Sequence, residues 1–276
     1  MKAFIIDVGI CNGCYACQIA CKDEHVGNDW SPIAKPQPDT GQFWMNLTEN
    51  IRGTVPKVKI HYIPVLCMHC DKAPCIPACP IKGVIYKRDD GLVIIDADKC
   101  TGCKACVDAC PYNAIFFNED LNIAQKCTGC AHLLDGGWKV PRCVDSCPTE
   151  AIKFGEESEF KALISKAEVL KPEQGSRPRV YYLNVPGKFI AGTVYDPVEK
   201  EVVIGAKCTL TGPKAGKKAT ATTDDFGDFW FEGLADGMYS LKIEARGFAA
   251  KSFDKLSADT DLNLGDIPLA RAGKKK

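Results

Sequence analysis

Cysteine is the residue type whose number and spacing could do chemistry in this chain of 276 residues. All but one of its 17 cysteines lie between positions 11 and 147. One group, spaced C-x2-C-x2-C-x3-C-P, comprises Cys100, Cys103, Cys106 and Cys110. Three thiolates in such a loop can hold three corners of a cubane iron–sulfur cluster, and the fourth usually serves a second cluster. This group, the third in chain order, therefore predicts partner groups.

Three further groups of four cysteines have related spacings. The first group, with Lys22 where proline is usual, is Cys11, Cys14, Cys17 and Cys21. The second group, spaced C-x2-C-x4-C-x3-C-P, is Cys67, Cys70, Cys75 and Cys79. The fourth group, spaced C-x2-C-x12-C-x3-C-P, is Cys127, Cys130, Cys143 and Cys147. Sixteen ligands suit four [4Fe–4S] clusters without remainder, whereas a [3Fe–4S] centre would typically lack one ligand.

Disulfides and zinc are the alternative uses of so many cysteines. Disulfides suit a secreted chain, but no secretion signal is evident and close C-x2-C pairs recur at regular places. Structural zinc prefers two separated pairs of ligands over four cysteines in eleven residues. Iron–sulfur clusters are therefore the favoured interpretation.

Short helices and hairpins are expected to position these groups. A helix is predicted over residues 15–23, because Cys17 and Cys21 would share one face. Hairpins are predicted from GVIYK with LVIID and from AIFFN with NIAQK, and TEAIKFG is predicted to add a strand. Residues 24–66 are predicted as a loop and then a strand, VKIHYIPVL; this insertion could cover a cluster or form a docking surface. His25, His132 and Trp138 are interpreted as structural residues, with His25 making ordinary hydrogen bonds.

The chain changes character after the last cysteine group. EESEFKALISKAEVL has apolar residues at helical spacing, so a helix is expected there. The strand and turn signals from Phe189 onward predict a β-sandwich, with Cys208 as a small buried side chain. The expected domains are a four-cluster domain at 1–170, a linker at 171–186, the sandwich at 187–270 and a disordered tail at 271–276. The fold class is α+β.

Composition excludes some partners. The formal net charge is zero, which argues against nucleic acid. No apolar run approaches the roughly 20 residues that span a bilayer. The start, MKAFIIDVGIC, is too short for a secretory signal. We therefore expect a cytoplasmic protein, or a periplasmic one that is exported with a signal-bearing partner.

The four groups in this order, with FWMN, CMHC and QKCTGCAHLLD, carry a family resemblance. Residues 1 to about 185 resemble the iron–sulfur subunits of molybdenum or tungsten oxidoreductases of the dimethyl sulfoxide reductase family. With its sandwich, similar to transthyretin-like or carboxypeptidase-regulatory-like domains, the chain most resembles the small subunits of aromatic transhydroxylases. The resemblance implies two nested ferredoxin-like modules. It also implies a large catalytic partner that holds molybdenum or tungsten in bis-molybdopterin guanine dinucleotide.

The resemblance further implies a ligand set for each cluster. Cluster 1 would take Cys11, Cys14, Cys17 and Cys147. Cluster 2 would take Cys127, Cys130, Cys143 and Cys21. Cluster 3 would take Cys67, Cys70, Cys75 and Cys110. Cluster 4 would take Cys100, Cys103, Cys106 and Cys79. By the family pattern, cluster 1 would lie nearest the molybdopterin and cluster 4 at the far end.

One departure of this chain from the family pattern bears on its function. Redox-neutral transhydroxylases, as the family is understood, have lost the equivalent of cluster 4, whereas this chain keeps all four of its ligands. We therefore expect a non-catalytic subunit that relays electrons between a partner's active site, acting on a phenolic aromatic, and an external carrier. The alternatives are a free-standing polyferredoxin, or the equivalent subunit of an arsenate, sulfur-compound or formate enzyme.

Overall fold

The computed structural model describes residues 1–213 and 218–272. The chain divides into two compact units. The first comprises Met1–Asn50 and His61–Val185, and it contains every cysteine except Cys208. The second comprises Ile51–Ile60 together with the chain from Pro186 onward. Part of the insertion thus belongs to the second unit, although the sequence placed all of it in the first.

Strands of three to nine residues lie before Val185. They are β1 (Lys2–Asp7), β2 (Asn46–Thr54), β3 (Lys57–Val65), β4 (Ile85–Lys87), β5 (Val93–Ile95), β6 (Ile115–Asn118), β7 (Ile123–Lys126), β8 (Ile152–Glu156) and β9 (Val180–Leu183). Strand β1 is central in a three-stranded sheet, antiparallel to β8 and parallel to β9. The others form two-stranded pairs, β2 with β3, β4 with β5 and β6 with β7. The two predicted hairpins and the strand from TEAIKFG are therefore present.

Most helices that carry cysteines are single turns, and proline explains their length. The helices are α1 (Ala16–His25), α2 (Cys75–Ala78), α3 (Ala105–Asp108), α4 (Ala131–Asp135), α5 (Arg142–Asp145) and α6 (Lys161–Ile164). A cysteine and then a proline follow α2, α3 and α5 closely, and the residue before proline avoids helical geometry. The first group has Lys22 at that position, so α1 continues to His25.

Lys22 also binds the insertion. Its ammonium donates to the carbonyl oxygens of Pro38 at 2.7 Å and Gly41 at 2.8 Å. The departure from the usual proline therefore both lengthens α1 and anchors the loop that follows it.

The segment between the last cysteine group and the sandwich differs from the prediction. The expected helix is limited to a 3-10 turn, Glu157–Phe160, and to α6. It stops because the backbone of Glu168 exchanges two hydrogen bonds with Tyr182, each 2.8 Å long. The expected linker at 171–186 contains β9, which pairs with β1, and the chain as far as Val185 belongs to the first unit.

The second unit contains the predicted β-sandwich. Its strands are β10 (Lys188–Asp196), β11 (Glu201–Val202), β12 (Lys207–Thr211), β13 (Lys218–Thr222), β14 (Asp228–Leu234), β15 (Met238–Glu244), β16 (Lys251–Ser257) and β17 (Leu262–Pro268). One sheet has the order β11–β10–β14, with β17 also paired to β10, and the other has the order β13–β12–β15–β16. Buried side chains alternate along β12 and β15, as strands with one covered face require.

Cys208 lies in the sandwich core, as predicted. Its side chain is fully buried among apolar residues that include Leu210, Phe229 and Ile243. Burial raises the pKa of its thiol to about 12. Residues 273–276 of the expected tail lie outside the described residues. Arg271, placed in the same tail, instead donates to Asp196 Oδ2 at 2.6 Å, so the sandwich extends further than predicted.

We predict that Asp261→Ala destabilises the second unit. Arg52 forms a bidentate ion pair with this carboxylate at 2.7 and 2.5 Å, and Asp261 also accepts from the Phe189 amide. Because both side chains are largely buried, the free energy of unfolding should fall by about 2 kcal/mol. Calorimetry on the full chain measures the transition. Glu244→Ala, which removes the exposed pair with Lys242, is the control and should leave the transition unchanged. Equal shifts in the two variants would contradict the prediction.

Candidate metal centres

The four cysteine loops share one backbone feature. The third residue of each loop has a positive φ: it is Gly13, His69, Gly102 and Gly129 in turn. A left-handed residue here lets successive backbone N–H groups converge on an anion. At Gly102 a Cβ atom would also lie 2.5 Å from the Asn122 carbonyl oxygen, so only glycine fits. The recurring C-x-G-C spacing signalled this geometry in three loops; His69 adopts it without glycine.

Backbone amides are directed at the sulfur atoms. The Gly129 amide lies 3.3 Å from Cys127 Sγ, and the Ala124 amide lies 3.4 Å from Cys100 Sγ. Such N–H···S contacts favour the thiolate, which is the form that binds metal.

The insertion contributes one of these amides. The backbone of Met45 makes a hydrogen bond to Cys21 that lowers the pKa of the thiol, against the larger effect of burial. Of the two roles left open for the insertion, the structure therefore supports covering a cysteine set.

Helix packing brings the groups together in pairs. Helix α1, with Cys17 and Cys21, packs on α5, which begins beside Cys143. Helix α2 packs on α3 in the same way. The first group therefore lies with the fourth, and the second lies with the third.

Mutual repulsion identifies the neighbouring thiols within each pair. Burial, and then repulsion from Cys11 and Cys147, raises the pKa of Cys17 to about 12. Burial, and then repulsion from Cys130, Cys21 and Cys127, raises the pKa of Cys143 well above its usual range.

The same holds for the second pair of helices. Burial raises the pKa of Cys75 to about 12, with Cys67 and Cys110 adding repulsion. Burial raises the pKa of Cys106 to about 11, with added repulsion from its neighbours Cys100, Cys103 and Cys79.

These neighbourhoods agree with the four predicted ligand groups, whose assignment to separate clusters stays a prediction. We name them set 1 (Cys11, Cys14, Cys17, Cys147), set 2 (Cys21, Cys127, Cys130, Cys143), set 3 (Cys67, Cys70, Cys75, Cys110) and set 4 (Cys79, Cys100, Cys103, Cys106). All seventeen cysteines are free thiols, so no disulfide competes for them.

The surroundings of the thiols suit a cluster. Tetrahedral zinc with Zn–S bonds of about 2.3 Å would hold its sulfurs about 3.8 Å apart. Within residues 1–213 and 218–272, no three His, Cys, Asp or Glu side chains converge closely enough to hold one metal ion. The thiols of set 4 instead line a shared cavity whose other walls include Val84, Ile85 and Ile95. Sulfur donors around an apolar cavity fit an iron–sulfur cluster.

Exposure differs between the sets. Cys14 of set 1 and Cys103 of set 4 are the exposed cysteines. Every cysteine of set 2 is buried, and set 3 has only Cys110 partly exposed. Sets 1 and 4 therefore approach the surface, and sets 2 and 3 lie inside.

A polar network beside set 2 includes a residue interpreted as structural. His132 Nε2 lies 3.0 Å from Glu24 Oε1, and the imidazole stacks on Trp30 with ring centroids 4.4 Å apart. Arg142 Nε lies 3.3 Å from the other Glu24 oxygen. These contacts agree with a packing role for His132. Trp138 is 43% exposed and contacts the Arg142 guanidinium.

His25 is also a packing residue, whereas the sequence analysis predicted that it makes ordinary hydrogen bonds. It is buried, with its ring 4.6 Å from that of Trp44, and Nδ1 has no hydrogen-bond partner among the described residues. Burial lowers the pKa of His25 to about 3, so the ring is neutral.

Sequence reasoning missed one buried charge. Lys126 is 2% exposed and precedes Cys127. The sequence carried no signal for its burial, because the pentapeptide KCTGC occurs twice, at 99–103 and at 126–130, and only the second lysine is buried.

Comparison with known proteins places these features in a family. Three family models match: a 4Fe-4S binding domain at residues 9–27, a 4Fe-4S dicluster domain at 58–157 and a carboxypeptidase regulatory-like domain at 190–270. The matches confirm the predicted fold class. They also confirm [4Fe–4S] clusters as the type of cofactor. Across the described residues, no helix is long and apolar enough to span a membrane.

Relatives with curated functions agree. The pyrogallol hydroxytransferase small subunit of Pelobacter acidigallici is 39% identical over 96% of this chain and 98% of its own length. A tetrathionate reductase subunit of Salmonella typhimurium is 35% identical over 68% of this chain and 74% of its own. The arsenate respiratory reductase iron–sulfur subunit of Shewanella sp. is 34% identical over 65% and 94%. The chain therefore belongs to the iron–sulfur small subunits of dimethyl sulfoxide reductase-family oxidoreductases, which transfer electrons and are not themselves catalytic.

Proposed function

We propose that this chain holds four [4Fe–4S] clusters, one in each of sets 1 to 4, and relays electrons between a catalytic partner and an external carrier. The observation that carries the proposal is the grouping of sixteen thiols into four sets of four. Each bound cluster would supply a reversible one-electron centre. The chain's own residues place the thiolates and direct amides at them, and they control solvent access, which together set the potentials.

The order of the sets supports a linear relay. Cys17 of set 1 lies close enough to repel Cys21 and Cys143 of set 2. Cys67 of set 3 likewise repels Cys127 of set 2. Helix α2 contains Cys75 of set 3 and ends beside Cys79 of set 4, and it packs on α3, which contains Cys106 of set 4. The proposed order is therefore set 1, set 2, set 3 and set 4.

The surface exposure of the end sets supports electron exchange at both ends. Set 1 exposes Cys14 beside Tyr15, Ile10 and Ile19, which are exposed apolar residues. We propose that this end faces a large subunit whose molybdenum or tungsten is bound by molybdopterin. Set 4 exposes Cys103, and we propose that this end meets the external carrier.

The substrate of the partner is proposed from the relative that covers most of the chain. That relative is a pyrogallol hydroxytransferase small subunit, so we propose a phenolic aromatic as the substrate class. A complete set 4 favours net electron exchange, as in a hydroxylase or dehydroxylase. A tetrathionate or arsenate type of reductase is the second candidate, favoured by the other relatives. The cytoplasmic location, or export with a partner, stays a prediction.

A free-standing polyferredoxin is the alternative without a partner. The sandwich argues against it, because a soluble carrier needs no such domain. A carrier would be soluble and redox-competent when expressed alone, whereas a subunit would depend on the large subunit for stability.

We predict that Cys100→Ala removes the cluster of set 4 from the complex. Iron should fall from ~16 to ~12 atoms per chain, with loss of one electron paramagnetic resonance signal. Substrate binding in the partner should persist, while electron exchange with external carriers should fall at least tenfold. Cys208→Ala, in the sandwich core, is the control and should keep all the iron. Undiminished exchange after loss of the signal would refute the assignment of set 4 to the outer end.

We predict that Cys14→Ala and Cys147→Ala affect the same cluster. These residues are 133 positions apart in the chain, yet both lie in set 1. The double variant should therefore lose ~4 iron atoms, as each single variant does. The matched double variant Cys14→Ala/Cys110→Ala affects one cysteine in each of two sets and should lose ~8 iron atoms. Loss of ~8 iron atoms from the Cys14→Ala/Cys147→Ala variant would disprove the nested pairing.

We predict that the complex exchanges electrons during turnover. With a phenolic substrate, an artificial dye should be oxidised or reduced in proportion to product. The Cys100→Ala complex is the control, because any dye that still reacts with it does so without the cluster of set 4. Turnover of the substrate by a reduced complex that exchanges no electrons would point to a redox-neutral transhydroxylase.

A further inference from the structure

Lys126 is a buried cation. It ends β7, immediately before Cys127, and is 2% exposed. Its ammonium donates to the carbonyl oxygens of Cys127 at 3.0 Å and of Val93. Among the residues that the structure describes, no carboxylate forms an ion pair with it. An ammonium taken from water without a counter-charge is costly, so this position requires an anion nearby.

Two cysteine sets meet at this ammonium. Lys126 precedes Cys127 of set 2 and donates to its carbonyl oxygen at 3.0 Å. Its ammonium also donates to the carbonyl oxygen of Val93, whose amide donates to His69 Nδ1 at 3.0 Å. His69 lies in the loop of set 3, between Cys67 and Cys70. The ammonium therefore lies at the junction between the two inner sets.

The neighbouring histidine supplies no competing charge. His69 is buried, and its Nδ1 accepts from the Val93 amide at 3.0 Å, so the ring proton is on Nε2. Burial and then the charge of Lys126 hold the pKa of His69 well below its usual range. Lys126 is thus the positive charge at this junction.

The chain contains an internal comparison. Lys99 opens the other KCTGC pentapeptide and occupies the equivalent position before Cys100. Its side chain is 66% exposed and pairs with Asp96 Oδ2 at 2.6 Å. Solvent and this carboxylate compensate the charge of Lys99. The same local sequence therefore gives a compensated surface charge in one repeat and an uncompensated buried charge in the other.

We propose that Lys126 is the counter-charge for the clusters of sets 2 and 3 and raises their reduction potentials. This rests on the proposed function, because it requires clusters in both sets. A thiolate-ligated cluster is anionic and gains a further negative charge on reduction, so a fixed cation nearby stabilises the reduced form. Burial strengthens this effect, since solvent does not screen the interaction.

Redox titration of the purified complex, followed by electron paramagnetic resonance, tests the proposal. Lys126→Met removes the charge, and Lys126→Gln removes the charge while keeping a donor for the two carbonyl oxygens. In both variants the ratio of reduced to oxidised cluster at a fixed potential should fall about tenfold for two of the clusters. That ratio corresponds to a midpoint about 59 mV lower. Lys126→Arg should keep the original midpoints, and the matched control Lys99→Met should leave all of them unchanged.

Several results would overturn the proposal. Unchanged midpoints in Lys126→Gln would do so, as would an equal shift in Lys99→Met. Loss of iron from both neutral variants would assign Lys126 a structural role instead. The iron content and signal count of the unmodified complex test the proposed function separately. Fewer than four clusters there would defeat the cluster assignment, whereas four clusters with unmoved midpoints would defeat only the role of Lys126.

Discussion

The C-x3-C spacing that ends every group is the constraint on which the cluster-binding part depends. It places two cysteines four residues apart, within α1 in the first group and across the C-terminal end of α2, α3 or α5 in the others. The two thiols nevertheless belong to different sets. Each set therefore lacks its fourth thiol until a helix from another group packs beside it. Assembly of a set and packing of a helix pair are one event.

This arrangement also bears on the proposed relay. Segments that begin in α1 and α5 connect sets 1 and 2, and segments that begin in α2 and α3 connect sets 3 and 4, so the connected cysteines are four residues apart along the chain. No helix among the described residues carries cysteines of both set 2 and set 3. Their junction depends instead on packing around β7, where Lys126 lies. The most buried step of the relay is thus the one that the cysteine spacing does not determine.

The sandwich obeys a different principle. Alternating buried and exposed side chains form its core, which contains no cysteine from the four groups. Ion pairs such as Arg52 with Asp261 join residues 51–60 to the same unit. A segment inserted between two cysteine groups thereby belongs to the second compact unit.

Sequence alone determined what depends on local chemistry. The cysteine spacings indicated the cofactor, and strand and turn signals indicated the hairpins and the sandwich. Tertiary structure decided what depends on contacts distant in sequence. It paired the groups, ended the helix after Ile164 so that Glu168 could bond to Tyr182, and placed residues 51–60 with the sandwich. It also separated Lys99 from Lys126, two lysines in identical pentapeptides, because burial is a property of what packs against a residue and not of its neighbours in the chain.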